Sequence, residues 1–493
     1  MSGRRVAGAA LALALAAAAV VYWWPRERPF VLERAADQNV LLITIDTLRA
    51  DALSSYGGAA QTPNLDRLAS HGARFTFAHA HAVVTLPSHT SILTGRLPYE
   101  HGMRDNSGFR VKDGTETLAT RLKAAGFATG AFVGGFPLTK RFGLTPGFDV
   151  YDDQMPALTG ALAISMPERT ADVVVGRAVD WIGAQHSRFF SWVHLFDPHS
   201  PYAPPEPHLA RHAASPYHGE VAWTDQALSP LLEMLEGLSR PTLVIVTSDH
   251  GESLGEHGEL THGMFAYEPT LRVPLIVARV APGERSKRLA RRGSPLVVDT
   301  PARHVDITPT VLEATGVAAD PSMAGVSLAS AIRGEPAGDR PAYFESMTYN
   351  LVRGWAPLRG VIVEKSKYID LPIPELYDLS SDPRESVNLA GRLRDRLDIM
   401  TRLLRGFSVA PPHRPGQETA SAREALRSLG YVTGSAPARD RYTEADDPKR
   451  LVEVDRDLHR ASEALRSGQT DDAIRLFDSV IARRPVRAIS TTP

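Results

Sequence analysis

Long uninterrupted apolar runs, rather than a two-residue alternation, mark the strands of this chain. Asn39 to Ile45 (NVLLITI) reads as a strand buried on both faces. Phe127–Val133, Phe189–Leu195 and Thr242–Thr247 read the same way. Helical spacing fills the intervals. One helix starts at Thr62-Pro63, with an N-cap and a proline at the first position, and ends at Gly72. A second covers Thr115–Ala125 and stops at Gly126. A third carries Val174, Ala178 and Trp181-Ile182, and another ends before Pro241. Strand and helix alternate, which predicts an α/β fold: a mostly parallel sheet flanked by helices. Ligands of such sheets gather at the carboxyl ends of the strands. Three predicted strands end there in polar clusters: Asp46, then Asp197 with His199, then Asp249 with His250.

After about residue 335 the pattern changes to short strands (342–345, 358–363, 367–369, 375–379) and a helix reaching Arg405, which predicts a small C-terminal α+β subdomain. The expected organisation is residues 37–335 as the main domain, 336–405 as the subdomain, 406–446 as a linker rich in Pro, Arg, Ser and Gly, and 447–485 as a helical tail. In that tail Gly468, Ala473, Phe477 and Pro485 match the second half of a tetratricopeptide repeat. One such unit cannot bury its own face, so it is expected to dock on the body of the chain or on a protein partner. At the other end, Arg4 and Arg5 precede an apolar run from Val6 to Trp24, long enough to cross a bilayer. Residues 1–25 therefore read as a signal anchor, with a cleaved signal peptide as the alternative. Either places the bulk of the chain in the cell envelope or outside the cell.

Composition narrows the chemistry. With 55 Lys and Arg against 56 Asp and Glu, the chain lacks the basic excess of a nucleic-acid binder. It has no cysteine, which removes disulfides, thiolate metal sites and thiol nucleophiles. Asp46, Asp249 and His250 offer two hard oxygens and an imidazole, a set suited to one divalent ion such as Mn, Zn, Mg or Ca. Thr85 lies just before Pro87 at an expected helix start, where partial positive charge favours an anion. A nearby cation would turn its alcohol into a nucleophile; the plainer role for the same atom is an N-cap.

Several stretches, in order, resemble the sulfatase family of the alkaline phosphatase superfamily. They are Asn39–Asp51, Thr85-Leu-Pro-Ser-His-Thr-Ser-Ile-Leu-Thr-Gly-Arg96, His194–Tyr202, Val246–Glu252, His262–Pro274, Val305–Thr310 and Leu376–Leu389. The resemblance implies an alkaline-phosphatase-like fold and one metal ion on Asp46, Thr85, Asp249 and His250. It implies catalytic roles for Thr85, His199 and His262, the last standing where sulfatases usually carry lysine. Thr85 occupies the position that sulfatases oxidise to formylglycine, and threonine cannot make that aldehyde. His89 replaces an arginine of the family signature. His89, His101 and Arg104 are expected to face the substrate anion, whereas His257 reads as a loop residue.

The expected activity is hydrolysis of phosphate or sulfate esters of a small molecule, glycan or lipid through a covalent Thr85 ester. The alternatives are an envelope phospho-head-group transferase and a non-catalytic binding protein. A formylglycine diol expels sulfate by collapsing to its aldehyde. A threonine sulfate has no such exit, whereas a phosphothreonine can be opened by attack at phosphorus, so the chemistry favours phosphate esters.

Overall fold

The computed structural model describes residues 30–156, 168–282, 295–336, 338, 340–409, 436–437 and 439–483. The expected membrane segment, residues 1–25, and most of the expected linker lie outside them. No helix among the described residues is long and apolar enough to cross a membrane.

A nine-stranded sheet forms the centre. Its strands are β1 (Asn39–Ile45), β2 (Gly72–His79), β3 (Ala128–Val133), β4 (Val150–Asp152), β5 (Phe189–Leu195), β6 (Thr242–Ser248), β7 (Arg272–Val280), β8 (Leu296–Val298) and β9 (Ala302–Arg303). Their order is β4-β3-β5-β1-β6-β7-β2-β8, with β9 also on β2. All pairings are parallel except those of β7, which runs against both β6 and β2. The expected mostly parallel sheet is therefore present. β2 and β7 were absent from the periodicity reading: the segment from Gly72 is a strand, and the preceding helix closes earlier, at Ser70.

The runs are apolar throughout because both faces are covered. Val40 and Leu42 of β1 pack in one core with Leu243 and Ile245 of β6 and Phe190 and Trp192 of β5. Leu41, Ile43 and Ile45 pack in the other, with Val244, Val246, Val193 and Leu195. Burying such a side chain contributes about 1.5–3 kcal/mol, so the register of β1 is strongly specified. β1, β5 and β6 end side by side, with Ile45 opposite both Leu195 and Ser248. The next residues of all three strands therefore meet.

A second, antiparallel sheet of four strands follows: β10 (Ala342–Ser346), β11 (Leu358–Val363), β12 (Ser366–Asp370) and β13 (Glu375–Asp378). The helix Arg394–Arg405 covers it through Met400 and Leu404. Lys367, fully buried, bolts this sheet to the main body. Its ammonium lies 3.2 Å from Glu268 and 2.8 Å from Glu385, and His79 of β2 meets Glu268 at 3.0 Å.

The tail is an antiparallel helix pair, Pro448–Arg466 and Thr470–Arg483. Asp447 caps the first helix through Lys449 N–H and accepts a bond from Ile373 N–H. Leu451 enters the main core. Asp455 accepts from Tyr349 Oη at 2.9 Å and from Arg353 at 2.8 Å. Val452 rests on Gly258, where an added Cβ would meet it at 2.7 Å.

Candidate active site and metal centre

Asp46 follows β1, and Asp249 with His250 follows β6. All three are fully buried, and one ligand atom from each lies within 4.8 Å of the others. Hydrogen bonding shows which atoms are free. Asp249 Oδ1 accepts from the backbone N–H of Thr47 (3.2 Å) and of His250 (2.9 Å), while Oδ2 is buried and unpartnered. Asp46 Oδ2 accepts from His194 Nε2 (3.3 Å) and Thr85 Oγ1 (3.5 Å), while Oδ1 has no partner. His250 Nδ1 lies 2.9 Å from the Gly251 carbonyl. A carbonyl only accepts, so Nδ1 carries the proton and the unpartnered Nε2 presents a lone pair. That Nε2 stands 3.4 Å from Asp249 Oδ2 and 3.8 Å from Asp46 Oδ1. Three lone-pair-bearing atoms face one another with no hydrogen between them. The residues fit a divalent cation, which would satisfy all three. Burial pushes the Asp46 carboxyl up to about 7, against the opposing effect of His250.

Local backbone sets this geometry. Thr47 takes a left-handed φ of 53°, which turns its N–H to Asp249 and its hydroxyl to the Pro198 carbonyl. It offers no oxygen to the centre. Gly251 admits no side chain, because a Cβ there would stand 2.1 Å from the Pro269 carbonyl.

Thr85 is the first residue of the helix Thr85–Thr94 and is fully buried, its hydroxyl on Asp46. Asn106 accepts from Leu86 N–H through Oδ1 at 2.7 Å, leaving its Nδ2 buried without a partner beside the turn that bears Thr85. Three imidazoles share the site: the His262 ring is 4.5 Å from His250 and 5.2 Å from His199. His199 stacks on Phe196 and donates Nδ1–H to Ser200 O (2.7 Å); its Nε2 is unpartnered, and burial holds the ring well below its ordinary pKa. His262 Nδ1 lies 3.0 Å from Glu252 Oε1, and Tyr202 donates to Glu252 Oε2 at 2.9 Å. Burial lowers His262 to about 4 and raises Glu252 to about 8, so the pocket disfavours charge on either.

The three residues expected to meet the anion are each engaged by other protein groups. His89 points inward, with Nδ1 on Thr85 O and Nε2 on Thr44 Oγ1. Arg104 is buried in a two-pronged pair with Glu345 of the second sheet. His101 accepts from Met103 N–H and meets Ser91 Oγ. His89 Nδ1 also lies 3.7 Å from Asp249 Oδ2, at the edge of the metal group. Sequence reasoning also passed over His194, Asn106, Glu252 and Tyr202. All but Asn106 lie in or beside quoted motifs, but their hydrogen bonds join segments far apart in sequence.

A carboxylate-imidazole centre with an adjacent alcohol, at the strand ends of a helix-flanked sheet, defines an alkaline-phosphatase-like ester hydrolase fold. The family model "Sulfatase" matches residues 38–317, and "N-sulphoglucosamine sulphohydrolase, C-terminal" matches residues 255–405. The chain belongs to the sulfatase family. It is 26% identical to the choline-sulfatase of Rhizobium meliloti (strain 1021), over 74% of this chain and 84% of the relative. It is 23% identical to an N-acetylglucosamine-6-O-sulfatase of Bacteroides thetaiotaomicron, over 73% and 84%. In fold it matches the phosphonate monoester hydrolase of Agrobacterium radiobacter, with a TM-score of 0.59 and 22% identity, covering 75% of this chain and 95% of that one.

Proposed function

We propose that the protein is a metal-dependent hydrolase of phosphate, phosphonate or sulfate esters with Thr85 as nucleophile. The observation that carries this reading is the placement of Thr85 Oγ1 on Asp46, beside the three unpartnered ligand atoms. A divalent ion would be held by Asp46 Oδ1, Asp249 Oδ2 and His250 Nε2, and would supply positive charge that favours the alkoxide and the anionic ester group. Asp46 Oδ2 is the base nearest the Thr85 hydroxyl hydrogen. Asn106 Nδ2–H offers a hydrogen bond to a non-bridging oxygen, and His199 would offer a second through Nε2 as an imidazolium, a form the charge of a bound anion favours. His262, held by Glu252, is assigned to the leaving oxygen. Thr85 Oγ1 gives its proton to Asp46 Oδ2 and attacks phosphorus or sulfur, the ester oxygen departs with the proton that the Glu252–His262 pair holds, and water then opens the threonine ester at phosphorus. Lacking the aldehyde exit, threonine favours the phosphorus substrates, a preference that fits the fold likeness to a phosphonate monoester hydrolase.

The test is a panel of bis(4-nitrophenyl) phosphate, 4-nitrophenyl phenylphosphonate, 4-nitrophenyl phosphate and 4-nitrophenyl sulfate, with Mn²⁺ or Zn²⁺ added after chelation. Thr85→Ala should abolish turnover, and a quenched reaction should show Thr85 carrying the transferred group by mass spectrometry. Full activity in Thr85→Ala would remove the nucleophile assignment. The apolar N-terminal run supports a place in the cell envelope; membrane fractionation of the full chain tests it, and recovery only in the cytosol would refute it.

A further inference from the structure

We infer that Trp192, Thr44 and His89 form a one-way hydrogen-bond relay that fixes the turn bearing the nucleophile, which makes His89 a positioning residue. This rests on the reading of Thr85 as nucleophile. Trp192 Nε1 lies 3.0 Å from Thr44 Oγ1, Thr44 Oγ1 lies 2.9 Å from His89 Nε2, and His89 Nδ1 lies 2.8 Å from Thr85 O. All four residues are fully buried.

The chemistry of the two ends sets the direction. An indole nitrogen can only donate and a carbonyl oxygen can only accept. His89 must therefore carry its proton on Nδ1, which leaves Nε2 as acceptor for the Thr44 hydroxyl. That hydroxyl, having donated, accepts from Trp192. Every donor and acceptor along the chain is used, and one orientation alone satisfies them all.

The relay reaches from β5 across β1 into the first turn of the Thr85 helix. A second route holds the other end of the same residue: the Thr85 hydroxyl donates to Asp46 Oδ2, which His194 also holds. The rings of His89 and His194 pack edge to face with centroids 4.8 Å apart, so the two routes brace each other. Thr85 is thus held at its carbonyl by His89 directly and at its hydroxyl by His194 through Asp46; His89 has both nitrogens engaged, and His194 turns Nε2 to Asp46. Small displacements of an attacking atom cost rate even when binding is intact. Losing the relay should therefore lower kcat while sparing KM and the metal.

Thr44→Val removes the middle hydroxyl at nearly constant volume, and Thr44→Ser keeps it. With bis(4-nitrophenyl) phosphate and Mn²⁺, Thr44→Val should lower kcat about tenfold, the order expected for one lost neutral hydrogen bond. KM and Mn²⁺ affinity should stay within about twofold, and Thr44→Ser should recover most of the rate. Long-range ¹H–¹⁵N spectra of the full chain, assigned with His89→Gln, should find His89 protonated at Nδ1 in the wild type. Wild-type kcat in Thr44→Val, or a His89 proton on Nε2, would overturn the inference; the tautomer measurement needs no folded Thr44 variant. Thr85→Ala serves as the control. If it is inactive while Thr44→Val is unaffected, the relay alone fails; if it too is fully active, the nucleophile reading fails.

Discussion

Replacing Asp249 by Asn should make the metal-free protein more stable and the metal-loaded protein less so. In the metal-free wild type, Asp249 Oδ2 is buried and faces the bare Nε2 of His250 at 3.4 Å, lone pair against lone pair. An asparagine keeps the Oδ1 acceptor for the N–H groups of Thr47 and His250. Its Nδ2–H can then donate to His250 Nε2. Relieving an unsatisfied buried polar atom is worth about 1–3 kcal/mol, more when the atom is charged. For a chain of this size, with an unfolding entropy of about 1 kcal/mol/K, that corresponds to a rise in Tm of roughly 1–3 °C. In the wild type, free Mn²⁺ at 100 times its Kd adds about 2.7 kcal/mol. The variant lacks one of the three ligands and should gain little. Melting curves at a fixed scan rate, in chelator and across a Mn²⁺ titration, should therefore cross: Asn above Asp in chelator, Asp above Asn in excess metal. A variant that melts below wild type in chelator would refute the account of an uncompensated buried charge. A variant that keeps the full metal-induced rise would refute the ligand assignment.

Glu252→Gln keeps the size of the side chain but removes the carboxylate that holds His262 Nδ1. It should lower kcat by about 10- to 100-fold with Mn²⁺ affinity unchanged, as measured by steady-state kinetics and metal titration. Lys367→Met leaves Glu268 and Glu385 facing each other in a buried space. It should cost about 3–5 kcal/mol in urea unfolding, and a loss below about 1 kcal/mol would show that protonation of those acids compensates. Glu220 is buried with Oε2 unpartnered, and burial raises its pKa to about 9, from 4.5. The folded state then holds the proton more tightly than the unfolded state, so stability falls as pH rises between those values, by at most about 1.4 kcal/mol per pH unit. Glu220→Gln should flatten the fall in Tm from pH 6 to 9; parallel curves for the two proteins would contradict this.

The residues that end the central strands were legible because their placement follows from topology alone. Once β1, β5 and β6 are strands of one parallel sheet, Asp46, His199, Asp249 and His250 must share an edge. The strands that were missed lack that clarity. β2 starts directly behind a helix and mixes Arg74 and Thr76 into its run, and β7 carries Pro274, which argues against a central strand. The orientation of side chains was harder to read. His89 turns back to the carbonyl four residues before it, and Arg104 is claimed by Glu345, 241 residues away. Their partners, like those of Glu252 and Asn106, exist only once the chain has closed on itself.

The helix that begins at Pro448 docks on the body of the chain, and its Val452 rests on Gly258, in the same loop that bears His262. Trimming the chain after Arg405 would unseat Leu451 and strip Tyr349 and Arg353 of Asp455. The outer wall of the loop bearing His262 is thus built from residues far downstream of it in the chain. A polypeptide cut before Pro448 would carry every candidate site residue and still lack the packing on Gly258 behind the His262 loop.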